Sequence, residues 1–213
     1  MGARADCFDT IVSSGDVTLE LMRERGGAGL FHIGSARDVA LFDQADADRR
    51  VPLAEASYVV CTGLAQMETE TPADYADVID EIARRRLEMV CANPDLVVHR
   101  GDALLWCAGA LAAELVQRGG TVVHAGKPHP EIYGRALSHL ADIPRDRVLA
   151  IGDALATDVT GATRAGLDTL LVTRGIHRDE LHPGGGALDR DALQRLIRQH
   201  QVAPMATLPD LAW

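Results

Sequence analysis

Short apolar runs that alternate with helical patterns constrain this chain more than any other feature. Thr121 to Ala125 precedes Pro130 to Leu140, Arg147 to Ile151 precedes Thr157 to Ala165, and Thr169 to Val172 closes the series. A strand followed by a helix, repeated, is the rhythm of parallel β-α units. The runs show no polar alternation, as expected of strands covered by helices on both faces. Gly166 and the pair Gly119-Gly120 each stand just before a strand, where a helix has to stop. The expected fold class is α/β with a parallel sheet.

The first half repeats the theme. Phe8 to Val12 reads as a strand, Asp16 as the N-cap of a helix through Arg25, and Gly29 to Ile33 as a second strand. Asp43 to Pro52 turns polar and charged and is read as a crossing between domains, with a solvated helix end as the alternative. Beyond it, strands at Ser57 to Thr62 and Glu88 to Ala92, with helices at Pro72 to Leu87 and Leu104 to Arg118, make a compact α/β insert. The resulting division is a first core part at 1–48, an insert at 49–118 and a second core part at 119–213.

Charge and cysteine usage then narrow the function classes. The formal net charge of -10 over 213 residues has the wrong sign for neutralising nucleic acid or an anionic membrane. Cys61, Cys91 and Cys107 lie in apolar runs, no CxxC spacing occurs, and a reducing cytoplasm is the expected compartment. The longest apolar stretch, Ala103 to Ala113, is well short of the ~20 residues of a membrane span.

The sharpest chemical signal is Val148-Leu149-Ala150-Ile151-Gly152-Asp153, followed by Thr157-Asp158. A buried strand ending in Gly-Asp places Asp153 at the carboxyl end of a parallel sheet, where such folds bind ligands. Asp158 falls in the next helix's first turn, favoured there by the helix dipole and able to face the same crevice. Two such carboxylates suit Mg²⁺, one as ligand and one in support. A plain strand-end turn is the competing reading. Gly126-Lys127-Pro128-His129-Pro130 stiffens the approach to another helix and aims Lys127 toward an anion, against the alternative of a solvated surface lysine.

Gly126-Lys127-Pro128, Gly152-Asp153 with Thr157-Asp158, and Ala165-Gly166-Leu167 with Thr169 resemble the haloacid dehalogenase-like phosphatase superfamily. The likeness is to its cap-bearing, nitrophenylphosphatase-like branch, subfamily IIA. It extends to Ser14-Gly15, Phe31-His32-Ile33-Gly34, Asn93-Pro94-Asp95 and Gly175-Ile176. The resemblance implies an incomplete Rossmann-like core with an inserted α/β cap, and two-step phosphoryl transfer from a small phosphorylated metabolite. It gives Lys127 the role of neutralising nucleophile and phosphoryl group, Asp153 that of Mg²⁺ ligand, and Asp158 that of supporting the metal's water shell. Asn93 and Asp95 in a cap loop, and His129 with His124 beside Lys127, are candidate substrate contacts, with a plain strand-to-loop turn as the competing reading of Asn93-Pro94-Asp95.

The family pattern also requires a buried strand running into Asp-x-Asp-Gly-Thr and a second strand ending in Ser or Thr. Neither is found: Asp9-Thr10-Ile11 has isoleucine at the acid/base position, and Asp46-Ala47-Asp48 lies in a charged stretch. The chain therefore reads as a member without its first third, expected to be inactive alone and to self-associate across open sheet edges. A non-catalytic relic binding a phosphorylated ligand or a protein is the rival reading. A nucleotide binder is a weaker third, since no strand runs into a G-x-G-x-x-G turn.

Overall fold

Val59, Val60, Met89 and Val90 are fully buried because their strands lie inside a parallel sheet whose faces are covered. The computed structural model of the chain describes residues 5–44, 49–101 and 103–211. Its contacts group the chain into two compact units, 1–126 and 127–213.

The first unit carries β1 (Leu30–Ile33), β2 (Tyr58–Cys61), β3 (Glu88–Cys91), the hairpin strands β4 (Val97–Arg100) and β5 (Ala103–Trp106), and β6 (Val122–His124). Strands β1, β2, β3 and β6 pair side by side in that order, all parallel, with Val59 opposite Phe31 and Met89. Its helices are α1 (Ser14–Glu24), α2 (Val39–Asp43), α3 (Ala76–Arg84) and α4 (Ala108–Gln117). Ile79 and Ile82 of α3 and Leu111 and Leu115 of α4 pack on Val59, Cys61, Met89 and Cys91. Each such fully buried side chain contributes about 1.5–3 kcal/mol.

The second unit is built on β7 (Leu149–Gly152), β8 (Asp168–Val172) and β9 (Ala206–Leu208), parallel and in that order. Around them lie α5 (Pro130–Ser138), α6 (Thr160–Arg164), α7 (Arg178–Leu181) and α8 (Arg190–His200). One face of this sheet is covered: Leu171 packs with Leu155, Val159, Leu181, Leu193 and Leu196. The other face keeps Leu149 48%, Ile151 49% and Leu208 42% exposed. Among the described residues β7 has β8 as its one strand neighbour. An apolar parallel strand with an open edge and an uncovered face is unusual in a finished α/β sheet.

Several local expectations change. Phe8 to Val12 is no strand: Phe8 and Ile11 are exposed and the segment has no sheet partner among the described residues. The N-cap of α1 is Ser13, and Asp16 is its partner in a capping box: the Asp16 amide donates to Ser13 Oγ at 3.2 Å and its carboxylate accepts from the Ser13 amide at 2.8 Å. Leu104 to Trp106 is strand, and the helix begins at Ala108 after the β4–β5 hairpin turns at Gly101, whose φ of +61° favours glycine. The tail contributes β9, which extends the sheet by pairing Leu171 with Thr207.

The grouping of strands also differs from the expected division at 48/49 and 118/119. Leu30–Ile33 and Val122–His124, read as core, hydrogen-bond on either side of the two strands read as insert. The strand preceding Lys127 thus belongs to a different sheet from the strand carrying Asp153. Asp46 and Asp48 lie outside the described residues. Among those described, no helix is long and apolar enough to cross a membrane, and Cys61, Cys91 and Cys107 are buried free thiols.

Candidate active site

Strand β7 ends at Gly152, and the chain then makes a π-helical turn over Leu155–Val159 before α6 begins. Asp158 sits in that turn with its carboxylate folded back on the strand end. Its Oδ2 accepts from the amides of Asp153 and Ala154, each at 3.1 Å. Its Oδ1 accepts from Lys127 Nζ at 2.5 Å. Both oxygens of Asp158 are therefore engaged inside the second unit. The carboxylate is 16% exposed and the lysine side chain 50%, so Lys127 keeps donors for a further anion while its stem is held.

Asp153 is fixed from the opposite side. Its Oδ2 accepts from the Ile176 amide at 2.9 Å, in the loop that follows β8. From the described residues its Oδ1 takes no hydrogen bond. Two glycines make room for this pair of acids. A Cβ on Gly152 would lie 2.5 Å from Asp158 Cγ, and one on Gly175 would lie 2.6 Å from Asp153 Cγ. Their side-chain-free surfaces are the shape of the two carboxylates.

Outer contacts support the turn. Tyr133 Oη, on α5, donates to the Asp158 carbonyl at 3.0 Å and lies 3.3 Å from that of Thr157. Burial, aided by the charge of Asp158, pushes the Tyr133 phenol up to about 12, so it remains a donor across the physiological range. Leu155 N–H points at His177 Nε2 at 3.4 Å. Burial holds His177 below the ordinary imidazole range, with Glu180 opposing and His200 reinforcing the shift, which keeps the accepting lone pair available.

The structure thus gathers Lys127, Asp153 and Asp158 in one unit. His129 occupies the N-cap position of α5, followed by Pro130 at the first helical position. Its imidazole is held below its usual range by burial. Asn93 and Asp95 belong to the first unit. There Asn93 Oδ1 accepts from the Asp95 amide at 3.1 Å and the Asp95 carbonyl accepts from Gly109 N–H at 3.1 Å, so the turn caps the start of α4. Asn93 also lines a polar cleft of about 360 Å³ beside Ser35, Asp38, Thr62 and Arg100. Sequence reading missed the roles of Tyr133 and His177 and the reason for Gly175. Tyr133 and His177 reach the site across 25 and 22 residues, and no local spacing announces such a contact.

Magnesium commonly takes one or two protein carboxylates and completes its octahedron with water and substrate phosphate. The uncommitted Asp153 Oδ1 fits one corner of such a site, and Asp158, with both oxygens engaged, fits only a supporting place. No cluster of three or more His, Cys, Asp or Glu side chains able to hold a metal occurs among the described residues.

Comparison with known proteins bears on the family and the fold. The HAD-hydrolase-like family model matches residues 124–204. A solved hydrolase of the haloacid dehalogenase-like family from Brucella suis 1330 is 41% identical, covers 99% of this chain and is itself 75% covered, with a TM-score of 0.75. A p-nitrophenyl phosphatase from Archaeoglobus fulgidus shares the fold at 22% identity, with a TM-score of 0.68 over 92% of this chain and 70% of its own. Among curated proteins, a dihydroxyacetone phosphatase from Corynebacterium glutamicum (strain R) is 34% identical over 91 residues, 42% of this chain and 33% of that one. The 5'-nucleotidase YutF of Bacillus subtilis (strain 168) is 33% identical over 99 residues, 46% of this chain and 38% of that one. The matches therefore span little more than a third of these two curated relatives. The Brucella relative, by contrast, is matched over three quarters of its length, across both units of the fold, and on that ground the chain belongs to the haloacid dehalogenase-like family.

Proposed function

We propose that the second unit is the electrostatic part of a phosphomonoester hydrolase site. In this reading Lys127 binds the phosphoryl group, Asp153 contributes a carboxylate oxygen to Mg²⁺, and Asp158 holds both in place. The observation that carries it is the single carboxylate of Asp158, which takes two strand-end amides on one oxygen and the Lys127 ammonium on the other. That arrangement presents a cation and an open acid oxygen on a fixed frame, which phosphoryl transfer requires more than it requires covalent chemistry from most of its site. When bound, Mg²⁺ would supply further positive charge to the phosphate oxygens. The relatives named as phosphatases and as a nucleotidase support the reaction class. A small phosphorylated metabolite is the proposed substrate, and the first unit is proposed to act as its cap.

In the family's scheme an aspartate on a buried strand attacks phosphorus. In the second unit β8 ends in Val172-Thr173, and Asp210 beyond β9 is paired with Arg174 at 3.0 Å. Asp9 stands in an exposed loop of the first unit. On this reading the second unit holds the charge-stabilising half of the site, and the attacking group is not assigned to any of the described residues.

Mg²⁺ titration followed on the backbone amides of Asp153 and Ala154 by NMR tests the metal assignment. Saturable shifts at these amides are expected, with Asp153→Asn weakening the affinity on the order of tenfold or more. Equal affinity in the variant would remove Asp153 from the metal site.

A further inference from the structure

The Tyr133 hydroxyl lies against the π-helical turn that carries Asp158, within hydrogen-bonding distance of its carbonyls. A π turn displaces its carbonyls from the ordinary i→i−4 ladder and leaves them to find other donors. Two side chains answer that need. Thr160 Oγ1 donates to the Leu155 carbonyl at 2.7 Å, and Tyr133 Oη donates to the carbonyl of Asp158 itself. The ring is accommodated as closely as the hydroxyl. A Cβ on Gly161 would lie 2.6 Å from the Tyr133 oxygen and 2.7 Å from Cζ. Tyr133 also belongs to α5, the helix that starts three residues after Lys127. One short helix therefore tethers the cation and clamps the backbone of its partner.

Resting on the reading of the site proposed above, we infer that Tyr133 is a positioning residue for it. Its hydroxyl fixes the Asp158 backbone so that one carboxylate reaches both the Asp153–Ala154 amides and the Lys127 ammonium. Phenylalanine at this position would keep the ring over Gly161 and remove only the donor. The Asp158 carbonyl would then lose its side-chain partner, and the turn would be freer to swing the carboxylate away from the strand end.

Hydrogen exchange on the full 213-residue chain, comparing Tyr133→Phe with the parent, separates positioning from general support. The amides of Asp153 and Ala154, protected by Asp158 Oδ2, are expected to exchange roughly fivefold faster in the variant. The amides of Leu171 and Leu196, in the core of the same unit, are expected to stay unchanged. Gly161→Ala, which crowds the ring from beneath, should give the same selective increase. No acceleration at 153 and 154 overturns the inference, as does an equal acceleration in the core. Mg²⁺ affinity, read on the same amides, should fall by a similar factor in Tyr133→Phe. A parent chain that binds no Mg²⁺ while the exchange difference persists would leave the clamp standing and sink the function proposed for the site.

Discussion

Purified and offered an aryl phosphate with Mg²⁺, the 213-residue chain is expected to show turnover lower by on the order of 10⁶ than a site of this kind with its attacking carboxylate in place. That factor is the cost of removing a covalent nucleophile from a coupled hydrolytic site in a well-studied protease. In the proposed site Lys127 and a metal ion would lower the energy of charge on the phosphoryl oxygens, whereas the bond to phosphorus would be formed by another group. Of the acids in the loops of the second unit, Asp158 is committed to three donors, Asp153 has one oxygen on Ile176 N–H, and Asp210 is paired with Arg174. A steady-state assay with p-nitrophenyl phosphate over the pure chain checks this, using Lys127→Ala as the background. Turnover of several per second that Lys127→Ala abolishes would mean that an attacking group lies within the chain.

Removing the Asp158 carboxylate should have the largest effect on stability. Asp158→Ala leaves the amides of Asp153 and Ala154 without their acceptor in a partly buried turn, and an unsatisfied buried donor costs about 1–3 kcal/mol. The ion pair itself adds little, because half of the Lys127 side chain is in water and is screened there. The expected loss is therefore about 2–4 kcal/mol, dominated by the amides. Asp158→Asn should cost less, since an amide oxygen can still accept from both N–H groups. Hydrogen exchange of Leu171 in the second unit's core reads the change directly. A loss below about 0.5 kcal/mol in Asp158→Ala, the range of an ordinary surface substitution, would mean that the carboxylate does not hold the strand end.

How much of this was legible depends on the range over which each feature is decided. The Gly152-Asp153 strand end and the stops at Gly119 and Gly166 are local, and they appear where the residues suggested, with φ of +77° and +72° at the two glycines; the helix expected from Thr157 instead starts at Thr160, after a π turn over Leu155–Val159. The capping box of α1 was equally local, and Ser13-x-x-Asp16 announced it, although Asp16 alone was read as the cap. Membership of a sheet is decided at long range. Val122–His124 and Leu149–Gly152 are both short apolar-rich runs before a helix, yet one pairs with Met89–Cys91 and the other with Asp168–Leu171. The β4–β5 hairpin was hidden because Leu104 to Cys107 runs without a break into an alanine-rich helix, and an apolar run carries no period that separates the two. Tyr133 was invisible for a different reason. Its hydroxyl matters only because the chain folds a π turn beneath it, and nothing in Glu131-Ile132-Tyr133 marks that.

Lys127 and Asp153 are proposed to serve one phosphate. Titration of inorganic phosphate in the presence of Mg²⁺, observed by ³¹P NMR, tests this directly on the intact chain. Saturable broadening is predicted for the parent and its loss in both Lys127→Ala and Asp153→Ala, with the Leu171 exchange rate confirming that each variant is folded. Undiminished phosphate binding in either folded variant would contradict it.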